Sequence, residues 1–422
     1  MSGKHLSTIL LAMAALLPCA RALDVTNVTA RQRWPWNNLV DIDFTVLTNG
    51  AENVPEFGVA VTATYANGAK SLTPSTFASD FFAVAGTNRV TWNLGADYPG
   101  FRAADLTITV SLSTNNAETP AYLVVDLSGG SSVTSYPMRL TARPPDLSAD
   151  TCRTSELWLR RVPAGSFTMG SPANELGRTG TENQVPVKFT RGFYIGVFEV
   201  TQQQWYNVMG TRPSYYTNIL YRDTRPVEQI SYDALRGTSL QGGGGWPTNS
   251  GVYALSFVGV LRSKTGLATL DLPTAAQWEY ACRAGTATPL YSGASLTNTE
   301  SDASVAALAR YKYSGAMPNS TYMDQNAGIT NGTAKVGSYL PNAWGLYDMI
   351  GNPMEWCLDW YEPAVTGGTD PAGPNVSSTG DRARRGGSYD SGASYNRSAF
   401  RWRQQPGNAG PTYGTRIAVT RP

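Results

Sequence analysis

The stretch Asn342–Tyr361 interleaves aromatic residues, glycines and carboxylates in an order that neither a regular helix nor a regular strand requires. Asp348 and Glu355 bracket a turn made of Gly351, Asn352 and Pro353. A glycine and a proline this close together stop regular structure and turn backbone carbonyls inward. Two carboxylates and such carbonyls form an all-oxygen set, which a hard cation such as Ca²⁺ prefers. The same spacing also suits a buried turn whose carboxylates accept from nearby backbone N–H groups. Both readings stay open at this point.

Other segments carry a resemblance. Val162–Ser171, Phe193–Gly196 with Glu199–Thr201, Pro226–Ser231, Leu272–Gly285 and Arg385–Tyr389 occur in a fixed order around that stretch. Together they resemble the formylglycine-generating enzyme, or sulfatase-modifying factor, family over residues 155–420. The resemblance implies a mixed α+β module with a C-type-lectin-like core. It also implies a structural calcium site, with Asp348 and Glu355 contributing side chains and Gly351 and Pro353 contributing carbonyls. A second calcium site of the family maps to Ala309–Tyr313 and 328–332, where this chain has basic residues and lacks the acid.

Family enzymes convert a substrate cysteine to formylglycine with a copper-binding cysteine pair that follows the Gly-Gly-Ser motif. Thiolates suit Cu(I) because both are soft. The segment Arg385–Arg401 contains no cysteine. Ser398 stands where the second family cysteine is expected, and the first falls near Tyr395 or Asn396. A serine hydroxyl is hard and un-ionised at neutral pH. Copper is therefore not expected, and no catalytic residue is assigned.

Residues 1–22 read as a secretory signal. Lys4 and His5 precede the apolar run Ile9–Leu17, and Ala20-Arg-Ala22 is a small-x-small cleavage site. The expectation is an exported protein, in the periplasm, on the cell surface or secreted, with no transmembrane anchor. Cleavage would remove the only histidine, His5, together with Cys19. The remaining chain then has no imidazole for zinc, iron or copper, and no histidine base for a nucleophile. Cys152, Cys282 and Cys357 remain. Cys282 and Cys357 lie in two central motifs and are the candidate disulfide pair; three buried thiols are the alternative. The formal net charge of +2 comes without a basic run, which argues against a nucleic-acid partner.

The fold class expected is α+β in two domains. Residues 23–143 read as an all-β, sandwich-like domain. Leu39–Val46, Val59–Tyr65, Leu106–Leu112 and Ala121–Leu127 alternate apolar with polar residues, and Asn49-Gly50, Asn67-Gly68 and Asn115-Asn116 supply turns. Trp34, Trp36 and Trp92 read as core anchors. Residues 144–154 are a linker stiffened by prolines, and the family module runs over 155–422. In it, Thr201–Gln204 and Thr274–Gln277 are capping boxes that open helices. The first helix ends at Gly210 with Trp205 and Val208 inward. A further apolar helix is expected over Val252–Lys264. Gln241–Trp246 lacks the lysine of a phosphate loop and reads as a flexible surface insertion.

From residue 389 on, Tyr389, Asp390, Tyr395, Asn396, Phe400, Trp402 and Tyr413 combine rigid aromatic area with small hydrogen-bonding groups, as binding paratopes do. Arg397, Arg401 and Arg416 read as partners of buried carboxylates. The function expected is an exported, calcium-stabilised, non-catalytic binding module for a glycan, peptide or protein ligand. Residues 389–413 could be a diversified surface. The alternative is an enzyme, either a formylglycine-generating oxidase with an unusual metal site or a hydrolase using two of Asp359, Asp370 and Asp390.

Overall fold

The computed structural model describes residues 23–32, 38–48, 57–74, 77, 82–83, 85–103, 105–113, 122–141, 144–316 and 332–419. The expected signal segment 1–22, Trp34, Trp36, the expected turns at 49–50 and 115–116, and 328–331 lie outside them. The chain is a mixed α+β protein with small N-terminal sheets and a larger C-terminal domain.

It divides into two compact units, residues 1–123 with 138–144, and residues 124–137 with 145–422. In the first unit, Leu39–Thr48 is the centre of an antiparallel three-stranded sheet between Leu23–Gln32 and Gly86–Asn93. Val40, Ile42, Phe44 and Val46 are buried at every second position, the period that puts alternate side chains on one face. Asp41 interrupts the pattern. It is buried as well, and its carboxylate accepts from the Thr91 hydroxyl at 2.8 Å. Trp92 is fully buried and donates its indole N–H to Asp97.

Phe57–Tyr65 organises a second sheet with Lys70–Leu72, Phe82–Ala83 and Thr107–Ser113. Its tight turn uses Ala66, Asn67 and Gly68, all at positive φ, a conformation that asparagine and glycine tolerate best.

One strand falls elsewhere than expected. From Val124 on, the strand Tyr122–Asp126, read above as part of the N-terminal domain, belongs to the second unit. Its residues Tyr122, Leu123, Val124 and Val125 are all buried. A strand covered on both faces has no wet side to alternate. Residues 124–137 stay with this unit: Tyr136 donates to the Asn207 carbonyl, and Lys264 donates to the Ser131 carbonyl.

In that unit a sheet runs from Glu156–Val162 through Phe193–Gly196 and Ala418–Val419 to Leu270–Asp271. A four-stranded sheet follows the order Arg401–Gln404, Arg382–Arg385, Met354–Trp360 and Tyr413–Gly414, and Gly165–Met169, Val185–Phe189 and Gly368–Thr369 form a third. The helix Gln202–Met209 carries the complete capping box of Thr201 and Gln204 and ends on Gly210 at φ 69°, with Trp205 and Val208 buried. The helix Ala275–Arg283 has the same box from Thr274 and Gln277, and all nine of its residues are buried. The third helix, Phe257–Thr265, starts later than the apolar period suggests. Ser256 caps it by accepting from Gly259, and Tyr253 is held outside by the Arg236 carbonyl.

The glycine run is also corrected. The carbonyls of Gly243 and Gly244 accept from the guanidinium groups of Arg236 and Arg382, so the run is packed against buried arginines rather than projecting as a loose insertion. No helix among the described residues is long and apolar enough to cross a membrane.

Candidate functional site

Arg385, at the end of its strand, leads into Gly386 and Gly387, which take φ of 99° and 70°. Only glycine fits at 387, because a Cβ there would lie 2.5 Å from the Tyr395 carbonyl oxygen. The chain then turns tightly, with Ser391 N–H donating to the Ser388 carbonyl and the Ser388 hydroxyl donating to Asp390 at 2.6 Å. Asn396 is fully buried and donates to the Ser391 and Gly392 carbonyls. These bonds hold the loop that precedes the edge strand Arg401–Gln404.

The seven residues expected to bind a ligand separate into two groups. Tyr389, Asn396 and Phe400 are buried. Tyr389 meets the Tyr216 ring edge-on at 5.6 Å, so it belongs to the interior and not to a contact surface. Tyr395 and Trp402 remain 42% and 48% exposed. They flank Phe400: Tyr395 packs edge-on at 5.1 Å, and Trp402 stacks at 6.0 Å with 21° between planes. The result is a three-ring ladder with a buried middle and two exposed ends. Asp390 is exposed and is engaged by Ser388. Tyr413 is half-buried, lies 3.8 Å from the Arg384 guanidinium and accepts from Gln404.

The calcium set behaves differently from its reading in the sequence. Glu355 is buried. Its Oε1 accepts from Arg416 Nε at 3.0 Å and Nη2 at 2.8 Å, and its Oε2 accepts from the Trp278 indole at 2.7 Å. Asp348 accepts from the Gly337 N–H at 2.6 Å, and Gly351 donates to the Gly386 carbonyl. Among the described residues no three His, Cys, Asp or Glu side chains are placed to share a metal ion. The four-ligand set of Asp348, Gly351, Pro353 and Glu355 does not fit, because Arg416 and Trp278 already occupy the Glu355 oxygens. Burial pushes Asp348 up to about 6.

Glu199, which the sequence offered only as part of a motif, joins this buried group. Its Oε2 accepts from Asn352, and its Oε1 has no hydrogen-bond partner among the described residues. Burial, then the neighbouring Asp348 and Glu355 charges, raise its carboxyl well above the usual range.

Ser398 is fully buried, with its hydroxyl 3.5 Å from the Cys282 thiol and its carbonyl accepting from Arg385. Cys152, Cys282 and Cys357 are all free and buried, so the candidate Cys282–Cys357 bridge is not formed. Burial pushes the Cys282 thiol up to about 12 and raises Cys357 well above its ordinary value, so both are held as neutral thiols.

The carboxylates weighed for hydrolysis are individually engaged. Asp359 accepts from the Ala275 N–H at a helix start, Asp370 accepts from Thr190, and Asp390 accepts from Ser388. The arginines divide as well. Arg397 pairs with Glu175 and Glu182, and Arg416 pairs with Glu355. Arg401 donates instead to the carbonyls of Thr181, Glu362 and Pro363.

The family pattern described as "Sulfatase-modifying factor enzyme 1-like domain" matches residues 147–421. A chaperone protein, LppX, of Paenibacillus barcinonensis is 30% identical over 190 residues, 41% of this chain and 64% of the relative. The formylglycine-generating enzyme of Streptomyces coelicolor is 36% identical over 158 residues, 35% of this chain and 46% of the relative. The chain thus spans less than two thirds of the length of these relatives. Among solved structures, Treponema denticola variable protein 1 aligns with 63% of this chain and 95% of its own, at 24% identity and a TM-score of 0.48.

Proposed function

The chain belongs to the sulfatase-modifying factor family, and we propose that it is a non-catalytic binding module of that family, exported from the cell. In this reading the N-terminal sheets face each other as a β-sandwich and the second unit keeps a C-type-lectin-like core. The ligand is a glycan, peptide or protein, taken up on the exposed ends of the Tyr395–Phe400–Trp402 ladder. The observation that carries this reading is the ladder itself: two half-exposed rings fixed by a buried third. Fixed aromatic rings give contact area at low cost in conformational entropy, and their faces suit sugars and peptides alike.

The absence of cysteine from residues 385–422 supports a non-oxidase role, since no soft ligand for Cu(I) stands in that segment. The Ser398 hydroxyl is also buried away from any incoming peptide. Arg416 supplies the positive charge beside Glu355 that the family resemblance assigned to calcium.

Two measurements test the reading. The purified chain is applied to glycan and peptide arrays beside Trp402→Ala, which should lose the signal while unfolding at an unchanged denaturant midpoint. The chain is also incubated with copper and a sulfatase-motif peptide. Conversion of the peptide cysteine to formylglycine would overturn the proposal in favour of an oxidase.

A further inference from the structure

A cavity of about 360 Å³ opens in the second unit, and its lining shares no residue with the Tyr395–Phe400–Trp402 ladder. That volume suits one small ring-shaped ligand. Trp246, Phe189 and Phe193 give it apolar walls, and Gln277, Arg191 and Asp370 give it polar ones. The Trp246 indole is half-buried, and its N–H donates to the Ala372 carbonyl at 2.8 Å. The Trp246 carbonyl accepts from Arg382 at 3.2 Å, which fixes the backbone as well. With its one donor engaged, the indole has only ring surface left to offer a ligand. Phe189 and Phe193 are buried edge-on to one another at 5.5 Å.

The polar walls are unequal in what they still lack. Gln277 is 7% exposed. Its Oε1 accepts from the Thr274 N–H at 2.9 Å, whereas its Nε2 has no acceptor among the described residues and is not sealed from solvent. Arg191 is half-buried, and its guanidinium has no hydrogen-bond or ion-pair partner among the described residues. Asp370 is exposed and already accepts from the Thr190 N–H at 2.9 Å and the Thr190 hydroxyl at 2.5 Å.

Each wall therefore sets a different demand. A nearly buried amide donor costs stability until it meets an acceptor, and a neutral oxygen suffices. A guanidinium without a partner matches the paired oxygens of a carboxylate. The lone pairs left on Asp370 accept hydroxyl donors. The indole surface needs an apolar face. An acidic pyranose meets all four: a C–H face, ring and hydroxyl oxygens along its edge, and one carboxylate. An aromatic amino acid would bring a ring and a carboxylate but would leave the Gln277 amide unmatched.

We propose that this cavity is a binding site for a hexuronic acid, with the pyranose face on Trp246, the carboxylate on Arg191, and the edge oxygens and hydroxyls on Gln277 and Asp370. The site is separate from the aromatic ladder and does not require the ladder to bind anything.

The full chain is titrated calorimetrically with glucuronate, galacturonate, glucose and phenylalanine. At least one uronate should bind about tenfold more tightly than glucose and than phenylalanine, and its affinity should fall as salt rises. Arg191→Gln, at a half-exposed position, should remove the preference for uronate over glucose. Gln277→Glu keeps an acceptor for the Thr274 N–H, as a capping box allows, but puts a carboxylate in place of the amide donor. It should weaken the uronate by about tenfold or more. Both variants are checked for a native unfolding midpoint, and Arg191→Gln alone decides if Gln277→Glu does not fold. No uronate binding at millimolar concentration would overturn the proposal. So would glucose or phenylalanine binding as tightly as the uronates, or uronate binding that either substitution leaves unaltered in folded protein. Neither residue belongs to the ladder, so such a failure leaves the ladder reading standing.

Discussion

Arg416 Nη2 lies 2.8 Å from Glu355 Oε1, and neither side chain reaches solvent. The pair joins strand Met354–Trp360 to the C-terminal segment, 61 residues along the chain. Arg416 also donates to the carbonyls of Gly196 and Tyr347, so one guanidinium ties three separate segments together. Removing it would leave Glu355, Asp348 and Glu199 without that cation. Breaking a buried pair from one side costs about 3–5 kcal/mol, because the remaining charge is neither hydrated nor matched. Arg416→Met is expected to lose stability of that order in urea unfolding. Arg416→Met with Glu355→Gln should recover part of the loss.

The same contact decides what calcium does at this turn. A ligand that binds only the folded state adds about 2.7 kcal/mol when it is present at a hundred times its Kd. With Glu355 committed to Arg416 and Trp278, no such gain is expected here. Glu355→Gln should lose the same stability in millimolar calcium as in chelator, measured by thermal unfolding. A loss seen only in calcium would restore the metal reading.

Buried acids give the protein an inverted pH response. Burial pushes Glu228 up to about 7, although the Tyr215 and Tyr216 N–H groups, at 2.9 and 3.0 Å, favour its charged form. Asp348 is pushed up to about 6, also by burial. Both pKa values exceed those of the unfolded chain, so between about pH 4.5 and 7 the folded state binds more protons than the unfolded state. The stability these groups contribute is complete below pH 4 and is lost as pH rises through 6 and 7. Each group contributes at most about 1.4 kcal/mol per pH unit. Denaturant midpoints should fall from pH 5 to pH 7.5, and Glu228→Gln should flatten the decline. An unchanged slope in that variant would assign the response to other groups.

How much of this was readable depended on how far apart the partners lie. The capping boxes at Thr201–Gln204 and Thr274–Gln277 were legible because donor and acceptor are three residues apart, within a single turn. The alternation of Val40, Ile42, Phe44 and Val46 was legible for the same reason. Glu355 was read as a metal ligand because Arg416 is 61 positions away, and no local pattern announces such a contact. Tyr389 and Phe400 looked like surface because aromatic residues among serines and asparagines resemble a paratope. The Tyr216 ring, which covers Tyr389, comes from a distant loop. Glu199 follows Phe198 in the chain, and Glu228 follows Val227 in its motif. A carboxylate directly after an apolar residue was the available signal for both.

Thiol reactivity should report the same burial. Cys152, Cys282 and Cys357 are buried and unbonded, and burial raises all three above their ordinary values. Thiolate is the reactive form, so an aromatic disulfide reagent should label none of the three in the native state. In denaturant without reductant it should label all three in the chain lacking residues 1–22. Finding only one reactive thiol after unfolding would indicate a Cys282–Cys357 bridge.

The glycine run offers the sharpest separation of two backbone effects. Gly242 sits at φ 85° with open space where a Cβ would stand, so Gly242→Ala meets only the left-handed penalty, about 1–2 kcal/mol. A Cβ on Gly243 would lie 2.1 Å from the Arg236 carbonyl oxygen and 2.3 Å from that of Gly237. Backbone atoms cannot move aside as a side-chain tip can. The same residue's own carbonyl accepts from Arg236 Nη1, so any shift also disturbs the Arg236–Asp271 pair at 2.8 Å. Gly243→Ala should therefore cost more than Gly242→Ala, by at least about 2 kcal/mol in urea unfolding. Equal losses would mean that the run yields as a loose insertion would.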